Sequence, residues 1–283
     1  MMLRHKSPLR YPGGKAALAP FVTDMIVRNG LADGSYAEPY CGGAGVALEL
    51  LTGEIVRTIY LNDADQRIYA FWHSILYDTE RFLRLLWDTP LSVSEWKKQK
   101  EIMNRSDASD MLSTGFSTFY LNRCNRSGIL SAGPIGGFRQ NGKWTIAARF
   151  PKAELAKRIH SLANYSNRIT LSNLDALVFL TNLEQNLQAT KKMLVYLDPP
   201  YFSMGDRLYL NYYTHEDHRE LAKHMHSCNL KWILSYDDVS EIRRLYQGFP
   251  IKRATLTYHA NVRKKGRELM VFDPDLDSSC TLK

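Results

Sequence analysis

Short apolar runs alternate along this chain with longer stretches in which apolar residues recur at helical spacing. A short apolar run bounded by turn residues predicts a buried strand, and residues 193–197 are the clearest example. Residues 16–29 show the helical pattern, with Phe21, Val22 and Met25 on one face. Further strands are predicted near residues 36–38, 56–62, 169–171, 231–235, 251–258 and 269–272. This alternation is typical of an α/β fold.

The alternation stops between residues 78 and 151. Helical patterns cover most of residues 80–124, and a turn-rich stretch follows from 125 to 150. Within that stretch, Asn141-Gly142 is a strong signal for a hairpin turn. We therefore predict an α/β domain made of residues 1–77 and 152–283. Residues 78–151 form an inserted, mainly helical domain that carries a β-hairpin.

The composition indicates a folded chain with an anionic partner. The 283 residues are 45% hydrophobic, which is enough for a sizeable core. Lysine and arginine number 37 against 29 aspartate and glutamate, and this net charge of +8 favours a polyanion as partner. No apolar run approaches the roughly 20 residues of a membrane span, and the N-terminus lacks the apolar core of a secretory signal. The expected location is cytoplasmic.

Cysteine and histidine spacing predicts no metal site. The 4 cysteines are far apart and form no CxxC pair, so we expect neither zinc ligands nor disulfides. His215 and His218 are one residue short of the HExxH spacing, and His224 and His226 do not share a helix face. We interpret these histidines as part of a solvated helix.

The strongest candidate for chemistry is Asp198-Pro199-Pro200-Tyr201, directly after the apolar run 193–197. The prolines end the strand because they cannot donate to a sheet, and ligands of open α/β sheets bind at the carboxyl ends of strands. Asp198 and the Pro199 carbonyl can accept hydrogen bonds from an amine, and Tyr201 can stack on a planar ring. The alternative is a strand followed by an ordinary proline-rich turn.

Three further positions are suited to a nucleoside-like ligand. Lys15 begins a helix and can face an anionic group, although it can equally be a solvated lysine. Asp63 ends a predicted strand after a glycine-rich turn, where it can accept ribose hydroxyls or cap the next helix. Asp175 is either close to the ligand or a helix cap. The tyrosine-rich residues 203–213 are a candidate lid.

Basic and amide side chains in the inserted domain are candidates for contacts with nucleic acid, because aromatic residues are interleaved with them. The residues are Asn122, Arg123, Asn125, Arg126, Arg139 and Lys143. The alternative is a solvated basic hairpin. The basic stretch 259–267 is a second candidate for phosphate contact.

With these motifs identified, the chain resembles the Dam-like, alpha-class DNA adenine-N6 methyltransferases. Tyr11-Pro12-Gly13-Gly14-Lys15 is similar to the family's N-terminal motif, and residues 38–45 are similar to its glycine motif. Asp63 matches the ribose-binding acid, and residues 198–201 match the catalytic motif. The motifs occur in the family's order over nearly the whole chain. Residues 124–128 depart from the usual readers of GATC, so the resemblance does not specify the target sequence.

The resemblance implies a Rossmann-like methyltransferase sheet and methyl transfer from S-adenosylmethionine to a flipped-out adenine in double-stranded DNA. It implies that Asp198 and Pro199 accept hydrogen bonds from N6 while Tyr201 stacks on the base. The expected cofactor-binding residues are Tyr11, Lys15, Glu38, Pro39, Tyr40, Gly42, Gly45, Asp63, Asp175 and Asp198. The chemistry requires no metal, a monomer is the expected state, and a bacterial or phage origin is expected.

Other functions stay open at this point. Methyltransferases acting on N4 of cytosine usually carry serine in place of Asp198. Those acting on protein glutamine or RNA commonly carry asparagine there and lack the insertion. A non-catalytic DNA-binding component of a restriction or defence system is an alternative of another kind. The presence of Lys15, Asp63, Asp198 and Tyr201 argues against lost catalysis.

Overall fold

A computed structural model describes most of the chain. The described residues are 6–10, 15–105, 109–186, 191–203, 213–259 and 263–279, with only the backbone at 255–259 and 263–267. The chain divides into two compact units. One, here called the helical unit, comprises Met1–Gly14 and Asp65–Leu171; the other, called the sheet unit, comprises Lys15–Ala64 and Ser172–Lys283. The helical unit therefore includes the whole predicted insertion, together with flanking residues on both sides.

A seven-stranded sheet has the order β3-β2-β1-β4-β5-β7-β6. The strands are β1 (Ser35–Glu38), β2 (Thr58–Asn62), β3 (Ile169–Ser172), β4 (Met193–Leu197), β5 (Lys231–Asp237), β6 (Ile251–His259) and β7 (Arg263–Phe272). β1 pairs in parallel with β2 and β4, and β4 pairs in parallel with β5. β7 runs antiparallel to both of its neighbours. The strand order reverses between β1 and β4, which is where open α/β sheets bind ligands. The predicted Rossmann-like α/β class is confirmed.

Helices separate the strands and fill the interrupted region. They are α1 (Ala19–Arg28), α2 (Gly45–Thr52), α3 (Gln66–Tyr77), α4 (Thr79–Asp88), α5 (Val93–Arg105), α6 (Met111–Cys124), α7 (Lys152–Ala163), α8 (Ala176–Gln185), α9 (His215–Ser227) and α10 (Ser240–Leu245). Thr214 begins α9 with a capping box to Asp217, as its sequence indicates. Among the described residues, every helix is too short or too polar to cross a membrane.

The core of the sheet unit is built around β4, every residue of which is buried. Its alternate side chains, from Met193, Val195 and Leu197, pack in one cluster with residues of α8 and α9. The helix residues include Phe179, Leu180, Leu221 and Met225. Covering a strand on both faces removes its apolar surface from water, which explains why β4 reads as a continuous apolar run. The cluster holds rigid the strand that leads into the proline motif.

The core of the helical unit is aromatic. Phe71 stacks on Phe119 at 5.9 Å, and Phe82 meets both rings edge-on. Gly115 of α6 lies so close to α3 that an added Cβ would be 2.4 Å from the Ala70 carbonyl oxygen. A side chain at this position would separate α6 from α3, so glycine is required for their packing.

The predicted β-hairpin is wrong. Between residues 125 and 150 the chain forms turns, 3₁₀ segments and a single isolated bridge, Asn125–Pro134. Gln140 replaces a strand ladder: its side chain donates to the carbonyls of Ile135 and Gly137 and accepts from the Ile146 N–H. The Gln140 side chain therefore satisfies backbone groups that would otherwise pair between two strands. Residues 141–142 lie in irregular backbone, and no strands flank them.

Candidate active site

Asp198 follows β4 directly and is held by one of its two carboxylate oxygens. Oδ1 accepts a hydrogen bond of 2.9 Å from Ser235 Oγ and lies 3.2 Å from Lys15 Nζ. Oδ2 accepts no hydrogen bond from any residue that the structure describes, and 24% of the side chain is exposed. The Pro199 carbonyl likewise accepts none within the described ranges. Asp198 Oδ2 and the Pro199 carbonyl are therefore two acceptors at the end of β4 that no described residue occupies.

Two buried hydroxyl groups, those of Ser235 and Tyr196, form a chain of hydrogen bonds that ends at Asp198. Ser235 Oγ and Tyr196 Oη lie 2.9 Å apart, and both side chains are buried. Ser235 has one hydroxyl proton, and a carboxylate can only accept, so Ser235 donates to Asp198 and Tyr196 donates to Ser235. This chain of hydrogen bonds fixes the orientation of the carboxylate.

Lys15 is buried among acids and a phenol, which excludes the solvated alternative. Its Nζ lies 2.5 Å from Glu268 Oε1 and 2.8 Å from Tyr201 Oη. Tyr201 also donates to the same oxygen of Glu268, and the lysine charge lies 5.2 Å from the centroid of the Tyr201 ring. Asp198 and Glu268 thus share one lysine, and Tyr201 is tied to the pair.

The charges of this cluster shift its pKa values. Burial alone would lower the pKa of Lys15, but the acids around it, Asp198 first, outweigh burial and raise the pKa well above its ordinary value. Burial and the negative charge of Asp198 raise the pKa of Glu268, although Lys15 opposes them. Lys15 therefore stays charged and gives the cluster its fixed positive centre.

The turn after Tyr201 is fixed by β5. Asp237 accepts from the backbone N–H groups of Phe202 and Ser203, at 2.9 and 3.0 Å, and from the Ser203 hydroxyl. Each bond to a carboxylate is charge-assisted and therefore stronger than a neutral one. This turn positions Tyr201, because the residues that follow it cannot shift independently of β5.

The glycine-rich turn after β1 lies against the end of β2. Gly42 and Ala44 adopt left-handed backbone angles, with φ of 43° and 48°. The Gly42 N–H donates to Asp63 Oδ2 at 2.9 Å. The N-cap of α3 is Asp65 and not Asp63. The turn and the acid are therefore joined at the carboxyl ends of neighbouring strands, where the sequence predicted a nucleoside-like ligand.

Glu38 is buried beneath the same turn. It accepts hydrogen bonds from the Tyr36 hydroxyl and the Ala47 N–H, each at 3.1 Å. Burial raises the pKa of Glu38 to about 8, even though both bonds lower it. The carboxyl group therefore holds the turn from inside the protein. Pro39 is also buried, and Gly45 at the start of α2 lies against Ala16.

The other predicted cofactor residues have different surroundings. Asp175 is exposed and caps α8 by accepting from the N–H groups of Leu177 and Val178, so its capping interpretation is confirmed. Tyr40 and Tyr213 contact each other through their hydroxyls at 2.7 Å. Tyr11 lies outside the described residues, as do most of the predicted lid and the tip of the basic stretch 259–267.

The predicted contacts with nucleic acid separate into buried and exposed groups. Asn122 and Asn125 are buried, and their amides are used inside the helical unit. Asn125 accepts from Trp96 Nε1 at 2.6 Å and donates to the carbonyls of Ile129 and Leu130. The expectation that these two amides face DNA is corrected: they replace backbone partners that the turn-rich stretch lacks. Arg123 is also almost completely buried.

Arg126, Arg139 and Lys143 are exposed. Two large aromatic side chains in the same stretch are exposed as well, Phe138 at 61% and Trp144 at 63%. Lys143 Nζ lies 5.7 Å from the centroid of the Trp144 ring. Exposed aromatic rings beside exposed basic side chains are typical of surfaces that bind nucleic acid.

One histidine corrects the solvated-helix interpretation. His218 is buried, with Nδ1 2.7 Å from the Tyr236 hydroxyl, and burial lowers its pKa to about 4.

In the part of the chain that the structure describes, one group has metal-ligand spacing: Glu184, His224 and Cys228, whose ligand atoms lie within 4.8 Å of one another. The absence of a metal site remains a prediction.

Sequence reasoning did not assign roles to Ser235, Asp237 or Glu268. Asp237 had a usable signal, because it ends a predicted strand in the same way as Asp198. Ser235 and Glu268 are polar residues beside apolar strand residues, and a polar residue inside a buried strand requires a partner. Which partner it has depends on strand register, which one sequence does not reveal.

The sheet order and the polar groups at the β1/β4 reversal are typical of α/β proteins that bind a ligand at this edge of the sheet. The sequence matches the family model "D12 class N6 adenine-specific DNA methyltransferase" over residues 11–260. The match spans most of the 283 residues, and the chain belongs to this family. The family implies an adenine-specific DNA methyltransferase that uses S-adenosylmethionine, which confirms the predicted resemblance.

Two other comparisons add little. No curated protein sequence matches the chain. Among solved structures, the rRNA methyltransferase aviRa from Streptomyces viridochromogenes is similar, with 13% identity and a TM-score of 0.38. The similarity covers 94% of this chain and 87% of that one. A TM-score this low supports no argument about fold or substrate.

Proposed function

We propose that the protein methylates N6 of a specific adenine in double-stranded DNA, with Asp198 and the Pro199 carbonyl accepting hydrogen bonds from the amine. The observation that carries this proposal is the asymmetric anchoring of Asp198. Oδ1 is fixed by Ser235 and Lys15, and Oδ2 is left to accept from a ligand. An exocyclic amine with two protons is the complementary group.

The catalytic effect follows from the changing geometry of the amine. In adenine the N6 lone pair is delocalised into the ring, so N6 is a poor nucleophile. Two acceptors at Asp198 and Pro199 favour a pyramidal nitrogen whose lone pair is directed at the methyl donor. The interaction strengthens as positive charge develops on N6, and interactions that strengthen in the transition state are the ones that accelerate a reaction.

When bound, S-adenosylmethionine would supply an activated methyl group to N6, and N6 would release one proton in exchange for it. Asp198 Oδ2 accepts a hydrogen bond from the N–H group that loses this proton, and the proton then passes to water. Lys15 keeps a positive charge beside Asp198 and Glu268, which limits the repulsion between two acids in one site. Glu268 therefore acts as a positioning residue for Lys15 and Tyr201.

The glycine-rich turn and Asp63 are the proposed binding site for the cofactor. Asp63 Oδ2 accepts from Gly42, which orients the carboxylate toward hydroxyls of a ribose. The left-handed angles at Gly42 and Ala44 bring backbone close to a ligand. Glu38, Pro39 and the other predicted residues of this turn support that backbone. Tyr11, Tyr40 and Asp175 remain predicted contacts.

The adenine must leave the DNA double helix to reach Asp198, because its amine is base-paired in duplex DNA. Flipping costs about a few kcal/mol, and stacking on Tyr201 offsets part of this. The exposed residues Arg126, Arg139, Lys143 and Trp144 support a DNA-facing role for the stretch 125–150. Sequence preference is proposed to come from this stretch.

The test is incubation of the protein with labelled S-adenosylmethionine and, separately, double-stranded DNA, RNA or protein. We expect label in DNA alone, at N6 of adenine, and sequencing of modified sites will reveal the target sequence. Asp198→Ala should abolish the label while the variant stays folded. Label in RNA or protein, or at cytosine N4, would refute the proposal.

A further inference from the structure

Arg123 of the helical unit interacts electrostatically with three further arginines, Arg10, Arg149 and Arg158. Arg123 lies on α6, Arg158 on α7, Arg149 just before α7 and Arg10 in the N-terminal segment. None of the ion pairs among the described residues includes any of the four. Buried charges in proteins are normally paired, so a group of like charges without a counter-ion requires an explanation.

The two inner guanidiniums are incompletely bonded. Arg123 is only 8% exposed, and its Nη1 lies 3.5 Å from the Pro8 carbonyl oxygen. Arg158 Nη1 lies 3.4 Å from the carbonyl oxygen of Ser7, the residue before Pro8. Both contacts are long for hydrogen bonds. The Nε atoms of Arg123 and Arg158 are both buried, and no described residue supplies an acceptor for either.

The backbone beside these guanidiniums is rigidly held. Asn122 accepts from the Arg10 N–H at 2.7 Å and donates to the Arg10 carbonyl at 2.9 Å. Arg10 Nη1 donates to the Asn125 carbonyl at 3.1 Å. A Cβ added at Gly128, where φ is 77°, would lie 2.1 Å from the Arg10 carbonyl oxygen. The positions of these arginines are therefore fixed by the surrounding backbone, unlike those of mobile charged side chains on a surface.

The grouped charges repel one another. Burial, and then the charges of Arg10, Arg158 and Arg149, lower the pKa of Arg123 to about 9. Burial and Arg149 also lower the pKa of Arg10. Exposure increases from Arg123, which is buried, through the half-buried Arg10 and Arg158 to the exposed Arg149. A bound anion would remove the repulsion and supply the missing acceptors.

We infer that Arg123 and Arg158, with Arg10 and Arg149 beside them, bind an oxyanion, and that this oxyanion is a phosphodiester of the DNA substrate. The planar guanidinium donates two parallel hydrogen bonds that match phosphate geometry. A phosphate contact is independent of base sequence, so this site positions DNA and does not select the target. The choice of DNA rests on the function proposed above; the oxyanion site itself does not.

The site is tested first with inorganic phosphate, at constant ionic strength maintained with chloride. The variant is Arg158→Gln, and the matched control is Lys157→Gln, which removes one exposed charge from the adjacent position of α7. Phosphate should raise the Tm of the wild type and of Lys157→Gln, and raise that of Arg158→Gln much less. No rise in the wild type, or an equal rise in all three proteins, would overturn the inference.

The second measurement is the salt dependence of DNA affinity. Loss of one phosphate contact should reduce the slope of log Kd against log[salt] by about 0.9 in Arg158→Gln. The slope of Lys157→Gln should stay at the wild-type value, and an equal change in both variants would refute a specific contact. If Arg158→Gln does not fold, Arg149→Gln replaces it with the same expected outcomes.

These results separate the inference from the proposed function. If phosphate binding is confirmed but labelled methyl does not reach DNA, the proposed function fails and the oxyanion site stands. If DNA is methylated normally by the wild type but phosphate leaves its Tm unchanged, the oxyanion site fails and the function stands.

Discussion

Lys15 Nζ lies 2.5 Å from Glu268 Oε1, in a place where both side chains are almost completely removed from solvent. Through this contact a residue of the last strand controls the surroundings of Asp198, to which Lys15 is also paired. Breaking one member of a buried charge group leaves the others without full compensation. The contact therefore affects both the stability and the chemistry of the site.

Glu268→Gln preserves the shape of the side chain and removes its charge. Of the two acids, only Asp198 then pairs with the Lys15 charge. Because that pairing becomes stronger, Asp198 becomes a weaker hydrogen-bond acceptor for the amine. We expect kcat to fall at least about tenfold with little change in the KM for DNA, equivalent to about 1.4 kcal/mol of transition-state stabilisation. Steady-state kinetics measure both constants, and Glu220→Gln on the exposed face of α9 is the control. A loss of stability with unchanged kcat would show that Glu268 is structural only.

Asp198→Ala removes the carboxylate that is proposed to accept from N6. Lys15 remains paired with Glu268, so we expect the variant to fold. Methyl transfer should fall by at least about 100-fold, the loss typical of removing one oriented polar group from a transition state. The exposed Asp275→Ala is the control for a lost acid. Urea unfolding of both variants separates lost catalysis from lost structure.

Ser235→Ala should affect Asp198 without touching a ligand. It removes the donor to Oδ1 and leaves the buried hydroxyl of Tyr196 without its partner. An unsatisfied buried group costs about 1–3 kcal/mol, so the free energy of unfolding should fall by that amount. Tyr196→Phe and the double variant complete a cycle. If the two effects simply add, the proposed chain of hydrogen bonds is not coupled.

Glu38 should make stability depend on pH. Its pKa of about 8 in the folded protein exceeds the ordinary value of 4.5, so the folded state holds a proton that the unfolded state loses. This contribution is fully present below pH 4.5 and is lost as pH rises to about 8. The slope for one proton is about 1.4 kcal/mol per pH unit. Chemical unfolding at several pH values should show this decline in the wild type and a shallower one in Glu38→Gln.

Arg126 and Asn125 are neighbours with opposite expected effects. Arg126 is exposed, and Arg126→Ala should weaken discrimination among DNA sites more than cofactor binding. Asn125 is buried with three hydrogen bonds, so Asn125→Ala should instead lower the free energy of unfolding by about 1–3 kcal/mol. Competition between DNA sequences and chemical unfolding measure the two effects. An unchanged site preference in Arg126→Ala would count against this stretch as the reader.

The parts of the fold that follow from local pattern were predictable. β4 and Asp198 belong to this class, because a buried strand, two prolines and an acid are adjacent in sequence. The contributions of Ser235 and Glu268 were not predictable. They lie 37 and 70 residues from Asp198, and their approach depends on the register of β5 and β7. One sequence contains no direct measure of that register.

Local signals also failed where side chains replaced backbone partners. The Asn141-Gly142 signal favoured a hairpin, but Gln140 satisfies the surrounding backbone groups without strands. Asn122 and Asn125 looked like surface amides suited to DNA. In the structure they satisfy carbonyls of irregular backbone, a need that arises only once that backbone has folded.

β7 is synthesised after β6 but lies between β5 and β6 in the sheet. While the chain is growing on the ribosome, β6 therefore emerges before the strand that will hold it. Glu268 arrives on β7, later than Lys15, Asp198 and Ser235. A nascent chain can consequently contain β1 to β5 before the acid that contacts Lys15 has been synthesised. The buried contact between Lys15 and Glu268 is therefore completed only after β7 has been synthesised.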